Sequence, residues 1–316
     1  MTQQTNYSYV GSPGYQDDWI PIEWDSEVVM RVLKTSAVEA LGERHSMATA
    51  TKRILRQQSY LVTAGKEYTR DDGDLDYVTL TARRFMGQSV LDEDDTADAN
   101  MIVDTVSKRA ADWAISYATA FDNSCLGVTA TENGTTAPFT SVYKAVRTTD
   151  SAVSYTADAN YVNHGGAATA AYGDISKALK LVEVSDYWDE GSALLIANPA
   201  FREVLRNVKD NNGRPIFVEG QGGDSGQPDR IFGVEIYWSR GAKTAPAMSA
   251  SPSGNPLLIF VGNRSLLKLG VRSGPESRMA VADAHANVDD IAIKFRSRRG
   301  FQLGHVAGFS VLEKTA

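Results

Sequence analysis

One stretch limits what the rest of this chain can fold into: residues 92–127, DEDDTADANMIVDTVSKRAADWAISYATAFDNSCLG. Val103, Val106, Ala110, Trp113, Tyr117 and Ala120 recur at alternating spacings of three and four, flanked by Met101, Ala114 and Phe121. That pattern is one apolar stripe on a helix. Thr96 or Asp98 can cap it, the acidic run lies at the positive end of its dipole, and Gly127 ends it. Roughly 28 helical residues at ~1.5 Å each make a rod of about 40 Å. Its apolar side must be covered by the segments on either side of it in the chain.

The segment before the helix is poor core material. The first twenty residues are rich in Tyr, Gly, Ser and Gln, and 25–42 reads as a short helix ending at Gly42, with Val28, Val29, Val32 and Leu33 as its apolar side. Residues 49–62 and 77–86 read as two extended strands around a turn-rich tip. Val78, Leu80 and Ala82 alternate with Tyr77, Thr79 and Thr81, but the first strand carries Lys52, Arg53, Arg56, Gln57 and Gln58. A hairpin polar on both faces is marginal alone in water, so it needs something else to pack on.

The segment after the helix is better formed. Residues 128–172 read as loops with short strands, and 174–188 as a helix with Asp174 as cap and Ile175, Ala178, Leu179 and Val182 inward. SALLIA (192–197) suits a buried strand. Asn198 as N-cap, Pro199 in the first turn and the stripe Phe201, Val204, Leu205, Val208 predict a helix over 199–210, with Arg206 and Lys209 near its end and an Asn-Asn-Gly stop. A glycine loop (220–227), a strand (230–239), a loop (243–256), two short strands about a turn (257–271) and two closing strands (288–313) complete the chain. No internal repeat is found.

Chemistry is absent from these motifs. His45, His164, His285 and His305 are not spaced as a local metal pair, and the single cysteine, Cys125, excludes a Cys-type zinc site and an intrachain disulfide framework. GQGGDSG lacks the spacing of a dinucleotide loop, and Asp72, Asp74 and Asp76 lack the turn glycine and closing Glu of a calcium loop. The aliphatic runs are too short to span a bilayer, and the N-terminus lacks the basic start and apolar centre of a secretory signal. The net charge of −7 argues against general phosphate binding. Charge is uneven: RDDGDLD (70–76) and DEDDTAD (92–98) are acidic, and KFRSRRG (294–300), with Arg298 and Arg299, is basic. Such clusters are either solvated faces or surfaces that meet across copies in an assembly.

The order of arm, polar hairpin, long helix, mixed helix-and-strand region and returning strands resembles the major capsid proteins of tailed bacteriophages, the HK-ninety-seven-like fold shared with encapsulin shells. Three stretches carry the resemblance: RAADWAISYATAFDNSCLG, LLIANPAFREVLRNVKDNNGRPIF and VDDIAIKFRSRRGFQLGHVAGFSVLE. It implies an α+β fold with an N-terminal arm (1–45), an extension-loop hairpin (46–92), a spine helix and peripheral domain (93–171), an axial domain (172–286) and closing peripheral strands (287–316). It implies a structural, non-enzymatic head protein that self-assembles into the icosahedral shell around a double-stranded DNA genome. The arm starts near Met1, so a separate scaffolding protein is expected. The other implied partners are further copies in pentamers and hexamers, a portal protein, a decoration protein and weakly contacted DNA. No cofactor, metal or membrane is implied, and the place is the virion capsid, assembled in the host cytoplasm. The candidate inter-subunit residues are Lys66, Tyr68, Arg70, Asp72, Asp74, Arg298 and Arg299, with Lys66 also a candidate for a covalent cross-link. The candidate core residues are Trp113, Tyr117, Phe201 and Leu205. Competing readings are an encapsulin-type cargo shell and an α/β enzyme with a dispersed site.

Overall fold

The computed structural model describes residues 35–57, 62, 64–65, 75–92, 105–165, 172–209, 212–218, 228–254, 256–280 and 290–314. A short helix, α1 (Ala37–Leu41), is capped by the Ser36 hydroxyl, which accepts from the Glu39 amide, and stops at Gly42. The expected single helix over 25–42 is therefore interrupted: Ser36 is extended (φ −64°, ψ 127°) because it serves as a cap. Val28, Val29, Val32 and Leu33 lie outside the described residues. Strand β1 (Glu43–Ser46) comes next, then the hairpin of β2 (Thr51–Gln57) and β3 (Leu75–Thr81), paired from Thr51↔Thr81 to Gln57↔Leu75. The expected return strand 77–86 breaks at Ala82, and the chain resumes as β4 (Arg83–Asp92) in a different sheet.

The long helix is α2 (Thr105–Leu126); the cap residues expected at Thr96 and Asp98 lie outside the described residues. The stretch expected to be loops and strands contains a helix, α3 (Val142–Val146), before β5 (Tyr161–His164). Five residues are too few for a periodic stripe, and its local sign is Ser141, whose hydroxyl accepts from the Lys144 amide. Helix α4 (Tyr172–Glu183) starts ahead of Asp174, which sits in the first turn and bonds His164 Nδ1 instead of capping.

After β6 (Ala193–Ala197), helix α5 spans Phe201–Asn207, shorter than the expected 199–210. The Phe201 and Arg202 amides bond back to the Asn198 and Pro199 carbonyls, so the chain makes a tight turn first. The Asn198 side chain accepts from Ala200 within that turn, and Val208 is extended and ends the helix, which leaves Lys209 outside it. Strand β7 (Phe217–Val218) precedes a further correction. The expected single strand 230–239 is a hairpin of β8 (Arg230–Ile231) and β9 (Val234–Trp238). Phe232 (φ 49°) and Gly233 (φ 83°) form its two-residue turn, whose twist suits antiparallel strands. An aromatic at positive φ is uncommon, so Phe232 conceals the turn. Strands β10 (Leu257–Asn263), β11 (Leu267–Ala280), β12 (Asp290–Leu303) and β13 (Phe309–Lys314) complete the fold.

Two sheets organise it. One has the order β5-β13-β10-β6-β9-β8-β7, the other β1-β11-β12-β4. Successive residues of β10 enter opposite cores: Leu258 and Phe260 join one, Ile259 and Val261 the other. The first core also holds α2 (Tyr117, Phe121, Leu126), α3 (Val142, Val146) and the inner face of the four-stranded sheet (Phe85, Leu269, Phe301). The second is closed by α4 (Ile175, Ala178) and α5 (Phe201, Val204, Leu205). Each large aliphatic or aromatic side chain so buried contributes about 1.5–3 kcal/mol. The two closing strands divide between the sheets, β12 to the four-stranded one and β13 to the seven-stranded one.

Candidate inter-subunit surface

The base of the hairpin is seated on its own subunit. Val78 is 7% exposed and Leu80 fully buried, while Tyr77 and Thr79 face outward. The expectation of a hairpin polar on both faces is thus corrected for its base: the polarity belongs to β2, and β3 keeps the apolar alternation of its sequence. Arg56 fastens β2 to the body. Its guanidinium bonds Asp76 across the hairpin, Asp150 at 3.4 Å and the Gly304 carbonyl at 3.5 Å. A cavity of about 410 Å³ lies between hairpin base, α3 and β12, lined in part by Val78, Phe139, Thr149, Phe301 and Leu303. On the outward face Leu55 stands opposite Tyr77 in register, 77% and 48% exposed, and Arg53 lies 4.3 Å over the Tyr77 ring. Lys66, Tyr68, Arg70, Asp72 and Asp74 lie outside the described residues.

Helix α1 is held to α2 at two points. Asp122, fully buried, accepts from the Ser36 hydroxyl, the Ala37 amide at 3.0 Å, the Val38 amide at 3.1 Å and the Ser239 hydroxyl at 2.6 Å. Burial pushes its carboxyl above the usual range, and these donors pull it partly back. Glu39 accepts from the Tyr117 hydroxyl at 2.9 Å and from Arg299 Nε at 2.7 Å. Arg299 also donates to the Ser273 carbonyl at 2.6 Å and is 8% exposed. The structure therefore separates two neighbours in sequence: Arg299 is engaged inside its own subunit, and Arg298 stands on the opposite face of β12.

That outer face is basic. Register sets Arg298 beside Arg84 of β4 and Ser273 of β11. Arg272, partial burial, Arg84 and Arg296 together lower the Arg298 pKa. Arg296 bonds Glu276 at 3.0 Å. Met86 and Val90 share the face, 70% and 43% exposed. Sequence reasoning found the 294–300 cluster but missed Arg84 and Arg272, which only strand register brings to it.

Trp113 is half-buried, stacked on Tyr117 at 5.2 Å and Phe295 at 5.3 Å. A Cβ at Gly87 would come within 2.5 Å of its indole nitrogen, so β4 needs glycine there. Tyr117, Phe201 and Leu205 are buried. His305 stacks on Tyr187 at 3.9 Å, and burial, with the nearby Arg56, lowers its pKa to about 4. Burial raises the Cys125 thiol well above its ordinary value. Among the described residues no group of three His, Cys, Asp or Glu side chains could hold a metal, and no helix is long and apolar enough to cross a membrane.

Comparison with known proteins points the same way. The description "Phage capsid family" belongs to the sequence family that matches residues 17–314. Solved structures share the fold. One from Mycobacterium phage Ogopogo is 15% identical, with a TM-score of 0.69 over 94% of this chain and 97% of that one. One from Microbacterium phage Oxtober96 is 16% identical, with a TM-score of 0.65 over 94% and 96%. A third, titled as the capsid of an empty GTA particle computed with C5 symmetry, is 14% identical, with a TM-score of 0.69 over 97% and 100%. No curated protein matches the sequence.

Proposed function

Because the chain belongs to the phage capsid family, we propose that it is the major head protein of a tailed bacteriophage, assembling as pentamers and hexamers into an icosahedral shell around double-stranded DNA. The observation that carries this reading is the family match along 17–314. The described fold supports it: a mixed helix-and-sheet body, an HK-ninety-seven-like architecture, and a separate two-stranded hairpin ahead of the long helix. In this reading residues 1–45 form an arm, 46–92 an extension loop over a neighbour, 93–171 with 287–316 a peripheral domain and 172–286 an axial domain. A separate scaffolding protein, a portal and a decoration protein complete the particle, which is assembled in the host cytoplasm. DNA is held weakly and without sequence preference, consistent with a net charge of −7. No residue is assigned to catalysis.

Coexpressed with its scaffold, the protein should yield pentamers, hexamers or closed shells by electron microscopy; a stable monomer under all such conditions would overturn the proposal. Replacing residues 64–75 with a short Asn-Gly turn tests the extension loop. Subunit melting should hold while particle yield collapses, and normal yield would mean that the hairpin does not reach a neighbour.

A further inference from the structure

We propose that the acidic loop 183–190 of one copy seats on the outer face of the four-stranded sheet of a second copy, with Arg84, Arg272 and Arg298 as its receiving groups. The proposal rests on the shell reading above and names the two surfaces that meet.

The receiving face concentrates positive charge on a chain of net charge −7. Arg298 on β12 is the register partner of Arg84 on β4, and Arg272 lies on β11, at the irregularity just after Val271. None of the three makes a hydrogen bond or ion pair among the described residues, whereas Arg296 on the same face is paired with Glu276. The Nε atom of Arg298 is shielded from solvent with no partner. Like charges directly across a ladder destabilise it, so the isolated subunit carries a repulsion within its own sheet. A carboxylate brought between these groups would convert that repulsion into charge-assisted pairing. Met86 and Val90 add exposed apolar surface beside them. Arginine and methionine are side chains that protein interfaces favour, and apolar surface gives nothing to a phosphate backbone.

Elimination selects the loop. Carboxylates elsewhere among the described residues are commonly taken by a cation of the same subunit: Glu39 by Arg299, Glu132 by Arg83, Asp158 by Arg147 and Asp229 by Arg202. The connection between α4 and β6 is different. Residues 183–190, EVSDYWDE, hold four acids and no base. Asp189 is used within the loop, accepting from the Gly191 amide at 3.3 Å. Glu183, Asp186 and Glu190 are exposed and make no ion pair among the described residues. Val184, between them, is 76% exposed. The loop is nonetheless held in place, so little freedom remains to be lost on binding. The Ser185 hydroxyl donates to the Val182 carbonyl at 2.7 Å, the Asn263 side chain donates to the Tyr187 carbonyl at 3.1 Å, and the Tyr187 ring stacks on His305. The loop leads into the seven-stranded sheet, whereas the basic face belongs to the other sheet. Each copy therefore presents one acidic and one basic surface, a head-to-tail contact that rotational symmetry repeats around a ring. Exposed ion pairs are individually weak. They add up when every position in the ring makes them.

The experiment is a charge exchange in the full chain, coexpressed with its scaffold, reading particle yield by sedimentation and subunit stability by melting. One variant carries Arg84→Glu and Arg298→Glu, a second carries Glu183→Lys, Asp186→Lys and Glu190→Lys, and a third carries both sets. Each set alone should lower particle yield about tenfold or more, and the combination should recover most of it. Melting of the arginine variant should stay level or rise, since a repulsion is removed. Melting of the loop variant should hold, since its altered side chains are exposed. Normal yield from either set alone overturns the proposal, and so does a combination that yields no more than its parents; both outcomes leave the shell reading intact. If the arginine variant melts markedly lower, Arg84→Gln with Arg298→Gln replaces it, and normal yield from that pair overturns the proposal. Particles that form normally from the arginine variant but hold less nucleic acid would give the face to DNA and overturn it too. If the unaltered protein forms no particle, the shell reading falls and takes this proposal with it.

Discussion

The two sheets treat their faces differently. In β10 of the seven-stranded sheet, Leu258, Ile259, Phe260 and Val261 are all buried, alternately in one core and the other. In β12 of the four-stranded sheet, Phe295, Ser297, Arg299 and Phe301 turn inward while Lys294, Arg296 and Arg298 turn out. A sheet covered on both faces reads as a continuous apolar run, and one covered on a single face reads as an alternation. The first is finished within the subunit. The second leaves one face largely exposed. Changes in the first should therefore register as lost stability, and changes on the open face of the second as lost assembly.

The largest effect tests the closed sheet. Phe260 is fully buried at the centre of β10, between β13 and β6. Phe260→Ala should cost about 3–5 kcal/mol of subunit stability in denaturant titration. A cost below ~1 kcal/mol would mean that the core collapses around the site and that the sheet is not a rigid centre. Next is a pH effect at the junction between the two sheets. The folded His305 pKa, about 4, lies below the ordinary value of 6.5. The unfolded chain therefore takes up the proton first as pH falls. Stability linked to His305 is intact above pH 6.5 and is lost progressively toward pH 4, by up to about 3 kcal/mol. His305→Asn should flatten the melting profile between those limits relative to the unaltered protein. Parallel profiles would show that the imidazole is not held neutral by its surroundings.

Trp113 tests the inner face of the open sheet. It is half-buried between Tyr117 and Phe295, so Trp113→Ala should cost about 2 kcal/mol, less than a fully enclosed aromatic. The complementary change, Gly87→Val, should cost a similar amount, because it drives a side chain into the indole. If Gly87→Val melts normally while Trp113→Ala does not, the helix and β4 do not meet through the indole.

Legibility in the sequence divides along the same line. The stripes of α2, α4 and α5 and the apolar runs of β6 and β10 are periodic enough to read, because burial on a fixed face imposes the period. Boundaries slip where local hydrogen bonding competes: Ser36 and Asn198 bond nearby amides and halt or delay a helix. The hairpin at Phe232–Gly233 is hidden by a residue type that seldom adopts its conformation. Of the site, only contiguous parts are visible. The basic stretch on β12 reads directly, but Arg84 and Arg272 lie far from it in sequence and meet it through strand register. The division of Arg298 from Arg299 depends on the sheet's two-residue alternation, fixed by Phe295 and Phe301 being inside.

The smallest effect on stability is expected at Met86, and it separates the two sheets most cleanly. Met86 occupies β4 between Phe85, which is buried, and Gly87, which lies under Trp113. Its own side chain faces the other way and is 70% exposed, opposite Arg296 in register. Most of its apolar surface is already in water, so exchanging it for a polar residue of similar length removes little burial. Met86→Gln should shift subunit stability by no more than about 0.5 kcal/mol. At the centre of the closed sheet Phe260 has a core against it, whereas Met86 is 70% exposed. Denaturant titration of purified subunits decides the point. A loss above ~1 kcal/mol would place packing on the outer face of the four-stranded sheet within a single copy. The contrast between a strand closed on both sides at the centre of one sheet and an open face on the other would then have to be abandoned, whatever the particle yield.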